Sequence, residues 1–257
     1  MNAVLEVRGL SRAFGGIRAV DSVSFQTSAS GITGLIGPNG AGKTTLLNLI
    51  SGVTRAQSGN VLFRDEAITG MSAAAIARRG LCRTFQMTHV FPGQSVLGNL
   101  YRTALLRQLP TPRAWLMPAR VRAGRRQAMA HAEAVLQLIS MESQADADAG
   151  SLPYGLQKIL GVGMALSTQP GMLLMDEPAA GLNPNETVEM TALIERIHHD
   201  AGIAIVLVEH DMKMVMRLCS ELVVLVNGRL LANGPADAVR QDPAVIDAYL
   251  GADIENA

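Results

Sequence analysis

Apolar and polar residues alternate over residues 4–7 and again over 20–25, the period of a strand with one buried face, and the two runs predict an antiparallel N-terminal sheet. Residues 32–36 (ITGLI) read as a buried strand that runs straight into glycine. The middle third changes period. Ser72 is placed to cap a short helix closed by Gly80, Ser95 to cap another, and Pro118 to open a long helix through Ser140. Residues 172–175 then predict a buried strand. Asn183 and Pro184 start a helix that stops at Gly202 and carries Met190, Leu193, Ile194, Ile197 and Ala201 on one face. A strand over 203–208 follows, then a hairpin turning at Asn227-Gly228 between LVVLV and RLLA. Strands alternating with helices imply an α/β fold, a parallel sheet covered on both faces.

At 257 residues, 48% hydrophobic and 17% charged, with mean hydropathy +0.21, the chain can bury one sizeable core and is not disordered. Its 22 basic and 22 acidic side chains cancel, which argues against nucleic acid as the main partner. The balance is uneven, however. Residues 67–132 hold ten arginines and no acid, a block that reads either as a solvated face or as a contact surface for a partner or anionic headgroups. No apolar run approaches the roughly 18 to 20 residues of a membrane span. The first residues lack a basic segment followed by an apolar one, so a cytosolic address is expected, with Cys82 and Cys219 as reduced thiols. Only three lysines stand against nineteen arginines, and one of them, Lys43, falls where phosphate chemistry needs it.

Directly after ITGLI comes Gly37-Pro38-Asn39-Gly40-Ala41-Gly42-Lys43-Thr44-Thr45, which fits G-x-x-x-x-G-K-[ST]. Such glycines let backbone N–H groups curve around phosphate oxygens, and the loop feeds a helix N-terminus that favours negative charge. Lys43 would reach the β and γ phosphates and Thr44 would bind Mg²⁺. The strand over 172–175 ends in Asp176 and Glu177. Asp176 is placed near the metal, while Glu177, one residue on, can polarise an attacking water. His210 follows the strand over 203–208, at the strand end where α/β ligands bind, and could sense the γ-phosphate. His89, His131, His198 and His199 show no metal-ligand spacing with the cysteines.

Together these residues resemble a P-loop NTPase of the ATP-binding cassette type, the ATPase subunit of a transporter. Several other segments fall in that family's order. Arg12-Ala13-Phe14-Gly15-Gly16 is similar to the A-loop, with Phe14 stacking on adenine; Thr84-Phe85-Gln86 is similar to the Q-loop, with Gln86 touching Mg²⁺ and water. Ala180-Gly181-Leu182-Asn183 matches the D-loop and Val208-Glu209-His210-Asp211 the switch histidine segment. The resemblance implies one cassette over 1–257. It would comprise a first core part with an antiparallel β-subdomain (1–88), a helical subdomain with a basic insert (89–168), and a second core part with C-terminal hairpin and helix (169–257). The core sheet would be mixed. It further implies ATP and Mg²⁺, peripheral attachment at the cytoplasmic face of the cell membrane, and transmembrane permease subunits docked in a groove lined by residues 84–100. An extracytoplasmic solute-binding protein would belong to the same system.

Within the family the chain is similar to the larger ATPase of branched-chain or hydrophobic amino-acid uptake systems. The segments that carry this are Asp176-Glu177-Pro178-Ala179-Ala180-Gly181-Leu182-Asn183-Pro184, Leu231-Ala232-Asn233-Gly234 and the ending Ala248-Tyr249-Leu250-Gly251. Amide, urea and lipid-export ATPases share much of the pattern. The departure is the signature. Where the family has Leu-Ser-Gly-Gly-Gln, this chain has Leu152-Pro153-Tyr154-Gly155-Leu156. Pro153 lacks a hydroxyl and an N–H, and Leu156 lacks an amide; a lost hydrogen bond to a charged group costs about 1.5 to 3 kcal/mol. With the chain's own Walker residues intact, this predicts a heterodimer in which a second ATPase subunit supplies an intact signature. A regulatory subunit that binds ATP without turning it over is the alternative raised by the same departure. A soluble cassette acting on DNA or ribosomes lacks support, since no coiled-coil insertion or second cassette is present.

Overall fold

The computed structural model describes residues 3–28, 31–84, 90–108 and 117–255, with side chains through 249. Strands β1 (Ala3–Phe14) and β2 (Ile17–Ser28) pair antiparallel. Gly15 and Gly16 join them at φ 53° and 87°, the two-residue turn whose twist matches that of the strands. Strands β4 (Ser58–Phe63) and β5 (Glu66–Ala67) complete a four-stranded sheet in the order β2-β1-β4-β5. The sequence pattern predicts only the first two, because SGNVLF opens on polar residues and β5 is two residues long.

The second sheet has the order β10-β9-β3-β8-β7-β6. Its members are β3 (Ile32–Ile36), β6 (Leu81–Arg83), β7 (Met172–Asp176), β8 (Ala204–Val208), β9 (Glu221–Val226) and β10 (Arg229–Pro235). Five strands run parallel; β10 returns antiparallel on β9 through Asn227 and Gly228, both at positive φ, so the sheet is mixed. Every residue of β3, β7 and β8 is buried, and successive residues feed opposite faces. Met172, Leu174, Val206 and Val208 pack toward the four-stranded sheet and α1 (Lys43–Ile50). Leu173, Met175, Ile205 and Leu207 pack toward helices on the other side. Each such side chain stabilises by about 1.5 to 3 kcal/mol.

The remaining helices are α2 (Ala73–Arg78), α3 (Val96–Gln108), α4 (Pro118–Leu138), α5 (Tyr154–Leu166), α6 (Pro184–Ala201), α7 (Met212–Leu218), α8 (Ala236–Arg240) and α9 (Pro243–Glu255). Their ends follow the sequence punctuation closely. Asn183 Oδ1 accepts from Asn185 and Glu186 N–H while Glu186 Oε2 accepts from Asn183 N–H, a complete capping box, and Gly202 ends α6 at φ 64°. Ser95 Oγ accepts from Gly98 N–H. Two details differ. Ser72 holds the N-cap position of α2 without a side-chain bond, and α4 stops at Leu138, before the left-handed Ser140 (φ 57°). The apolar layer continues without a break from α3 and α4 through α5 and α6 to β7 and β8.

Candidate active site

The loop between β3 and α1 is wedged into the backbone around it. A Cβ on Gly37 (φ 150°) would lie 2.0 Å from Leu225 O, and one on Gly42 (φ 97°) would lie 2.2 Å from Ala19 O, so glycine is required at both positions. The β9–β10 turn braces the same loop: Gly228 N–H donates to Ala41 O and Asp21 N–H to Gly228 O. From behind, the Tyr249 hydroxyl of α9 is hydrogen bonded to the Gly37 backbone, and burial still pushes its pKa up to about 12. Lys43 is buried, its Nζ donating to Gly37 O at 2.7 Å and Pro38 O at 2.9 Å. Burial lowers its pKa, opposed by the charges of Glu177 and Asp176. Asn39 and Gly40 lie exposed at the loop's crest, and Thr44 and Thr45 follow in the first turn of α1.

Asp176 ends β7 with 1% of its surface exposed. Its Oδ2 accepts from Arg83 Nη2 at 2.7 Å, and Arg83 Nη1 donates to Asn48 Oδ1 on α1 at 2.5 Å. Asp176 Oδ1 is buried without a partner. That orphaned oxygen and the exposed Thr44 hydroxyl fit a hard cation that takes one or two protein oxygens and completes its shell with phosphate and water. Among the described residues no cluster of three or more His, Cys, Asp or Glu could hold a metal by itself.

Glu177 adopts φ 50°, an uncommon conformation for a non-glycine residue. Its N–H donates to Val208 O, its carbonyl accepts from Ala180 N–H and from Lys158 Nζ at 3.1 Å, and its Oε1 lies 2.7 Å from His210 Nε2. With Glu177 ionised, Nε2 carries the proton of that bond. The next residue along from β8, Glu209, is buried. Its carboxylate accepts from Ala179 N–H at 2.7 Å and His210 N–H at 3.1 Å, while burial raises its pKa. Asp211 caps α7, so the histidine sits at a braced corner.

Phe14 lies at the hairpin tip, 47% exposed, with the Arg12 guanidinium 4.8 Å over its ring. Leu152 and Pro153 lead into α5, where Pro153 occupies the N-cap and Tyr154 and Gly155 the first turn. Tyr154 packs over Gly181, and a Cβ on Gly155 would lie 2.5 Å from Glu186 Oε1. A proline at an N-cap interrupts no helical hydrogen bond. Gln86 and His89 lie outside the described residues.

Comparison with known proteins settles the family. The ABC transporter family model matches residues 20–180. The chain belongs to that family. A second model, the branched-chain amino acid ATP-binding cassette transporter, matches residues 229–255. The chain is 39% identical over 251 residues to the high-affinity branched-chain amino acid transport ATP-binding protein BraF of Pseudomonas aeruginosa, covering 96% of this chain and 98% of that one. It is 40% identical over 250 residues to LivG of Escherichia coli K12, with the same coverage. A nucleotide-free ATP-binding cassette from an ABC transporter superposes with TM-score 0.81 at 29% identity, covering 96% of this chain and 99% of that one. The ADP conformation of such a cassette gives the same TM-score and identity, over 98% and 100%. The chain is thus an ATP-hydrolysing cassette.

A hollow of about 420 Å³ opens between α2, β6, α3 and α5. Of residues 84–100, expected from sequence to line the docking groove, Thr84 alone among the described residues lines this cavity. Residues 90–100 do not line it: the start of α3 packs into the core through Val96 and Leu100. Four residues at the site carry no role in the sequence reading: Arg83, Lys158, Glu209 and Tyr249. Lys158 had the clearest signal, a lysine inside the apolar run of α5 in a chain with only three.

Proposed function

We propose that the cassette energises an importer of branched-chain or other hydrophobic amino acids, attached to the cytoplasmic face of the membrane through separate permease subunits. The observation that carries this is the match along the whole chain, C-terminal segment included, to proteins named for that transport. No described helix is long and apolar enough to cross a membrane, so the spanning parts belong to other chains. The apolar groove between α2 and α5 is the place for a permease helix. We read residues 89–168 as the subdomain that moves with it, between core parts 1–88 and 169–257.

The geometry supports these roles. Phe14 offers an aromatic face to adenine. The backbone N–H groups of residues 37–45 receive phosphates, and Lys43 exchanges its two loop carbonyls for phosphate oxygens. Thr44, Asp176 and Gln86 would hold Mg²⁺, which when bound neutralises charge on the β and γ phosphates. Glu177 accepts a proton from the attacking water, and His210 orients it, sharing its Nε2–H between that carboxylate and an oxygen of the transferred group.

The partner is a second ATPase subunit. At the site this chain's signature completes, the serine hydroxyl and glutamine amide are missing, although the first turn of α5 carries no side-chain cap on its N–H groups. The heterodimer therefore has one strong and one weak site. An extracytoplasmic solute-binding protein delivers the solute. ATPase activity of the assembled transporter in proteoliposomes tests the reading: leucine, isoleucine or valine with the binding protein stimulates it, and urea does not. Stimulation by urea alone would redirect the assignment. A homodimer of this chain that hydrolyses ATP as fast as the assembled transporter would refute the heterodimer.

A further inference from the structure

The hairpin tip that carries Phe14 is tied to α1 from two sides. Arg12 pairs with Val20 but Ala13 with Arg18, so Ala19 bulges out of β2, and its carbonyl closes on Gly42 at the entry to α1. On the other side the segment after α1 runs along β1. Gln57 N–H donates to Ser11 O, Ala13 N–H to Gln57 Oε1 at 2.7 Å, and Arg12 Nη1 to Arg55 O at 3.2 Å. The Arg12 guanidinium held in this way lies 4.8 Å over the centre of the Phe14 ring, two residues along the same strand. Its Nε is buried with no hydrogen-bond partner among the described residues. An orphaned donor is unfavourable, so hydrogen bonding does not explain where the side chain sits; a planar, weakly hydrated guanidinium is well suited to cover an aromatic face. Phe14 in turn belongs to neither apolar cluster of the core and stays 47% exposed.

We infer, resting on the reading of Phe14 as the surface that receives adenine, that Arg12 is a positioning residue for the nucleotide base: its guanidinium covers one face of the ring, fixes the ring plane and leaves the opposite face to the base. A phenylalanine at the edge of a two-residue turn otherwise samples several rotamers, and binding a base would have to order it. With Arg12 in place that ordering is already done. The cation also draws on the negative face of the ring, which reduces its repulsion toward a base stacked on the other side. Arg12 is anchored to Arg55 beyond the end of α1, and Ala19 meets Gly42 at its start, so the ring is placed relative to the helix whose N-terminus receives the phosphates. The contacts of Arg12 lie at the hairpin and at Arg55, away from Lys43, Glu177 and His210, so its effect falls on base binding and leaves the chemical step alone.

The test compares binding of ATP with binding of inorganic tripolyphosphate, both with Mg²⁺, by titration calorimetry on the full chain; tripolyphosphate fills the phosphate loop and has no base. Arg12→Ala is expected to weaken ATP about fivefold, the scale of a partly desolvated cation–aromatic contact, and to leave tripolyphosphate unchanged. In the assembled transporter the same variant should raise KM for ATP by a similar factor with kcat within about twofold. In a Phe14→Ala background Arg12→Ala should have no further effect. Arg12→Met, which keeps the packing of the stem, serves if the alanine variant fails to fold. Unchanged ATP affinity, an equal loss for ATP and tripolyphosphate, or a loss that persists in the Phe14→Ala background would each overturn the inference while leaving the ring as the base platform. Phe14→Ala alone separates the underlying reading: if it binds ATP as wild type does, Phe14 is not the platform, and the reading and the inference fall together.

Discussion

Replacing Arg83 by methionine removes the only side-chain partner of Asp176 among the described residues and should cost the isolated cassette about 3 to 5 kcal/mol, the range for breaking a buried ion pair from one side. The geometry supports a value in that range. The two side chains are 9% and 1% exposed and meet at 2.7 Å. Charges about 4 Å apart attract by about 4 kcal/mol at an effective dielectric of 20. Asp176 Oδ1 already lacks a partner, so the substitution strands the whole carboxylate in the interior, and Asn48 loses its donor as well. Against the 5 to 15 kcal/mol of a typical domain this is a large loss. Equilibrium urea unfolding without Mg²⁺ or nucleotide reads it directly. Combining Arg83→Met with Asp176→Asn should cost less than the two singles together, by about 2 kcal/mol or more, because the second change removes the stranded charge. An Arg83→Met cost below about 1 kcal/mol, or strict additivity, would refute the argument.

Three further outcomes follow from the same geometry. Glu177→Gln should leave ATP binding intact and slow single-turnover hydrolysis in the assembled complex by about 10² to 10⁴; a wild-type rate would remove Glu177 from the role of base. Reversing Arg120, Arg122, Arg125 and Arg126 to glutamate should reduce recruitment to membranes carrying the permease, since all four stand exposed on α4 and a basic residue near an anionic surface contributes about 1 kcal/mol. Unchanged recruitment in a membrane-flotation assay would mark them as a solvated face. Burial pushes the Cys219 thiol up to about 12, from an unperturbed value of about 8.5. Its protonated form is favoured by folding, so the stabilisation is complete below pH about 8.5 and is lost as pH rises toward 12. Wild type should therefore lose about 1.4 kcal/mol per pH unit in that window relative to Cys219→Ala, as read by urea unfolding at each pH.

Local rules made most of the catalytic half legible. The P-loop, the β7 acids, the Asn183-Pro184 cap and the Asn227-Gly228 turn each depend on backbone needs that a few consecutive residues reveal. What stayed hidden depends on contacts between distant segments. Arg83 sits in a block of ten arginines that reads as one surface, yet its guanidinium turns inward to Asp176, 93 positions away in sequence. The Arg120 to Arg126 group of the same block stays in solvent because Gly124, Ala128 and Ala132 take the inner face of α4. Lys158 and Tyr249 likewise acquire roles only when α5 and α9 are packed against the ends of β7 and β3. The short strands β4 and β5 were missed because their pairing with β1, and not their own pattern, makes them strands.

The most direct measurement of the central claim is uptake of labelled leucine, isoleucine, valine, phenylalanine and urea in cells lacking this gene and carrying either wild type or Lys43→Ala. Uptake of the branched-chain or other hydrophobic amino acids should return with wild type and fail with Lys43→Ala, while urea uptake is indifferent to both alleles. Amino-acid uptake that is the same with either allele would contradict the account: the chain would remain a cassette ATPase, and its assignment to amino-acid import would fall.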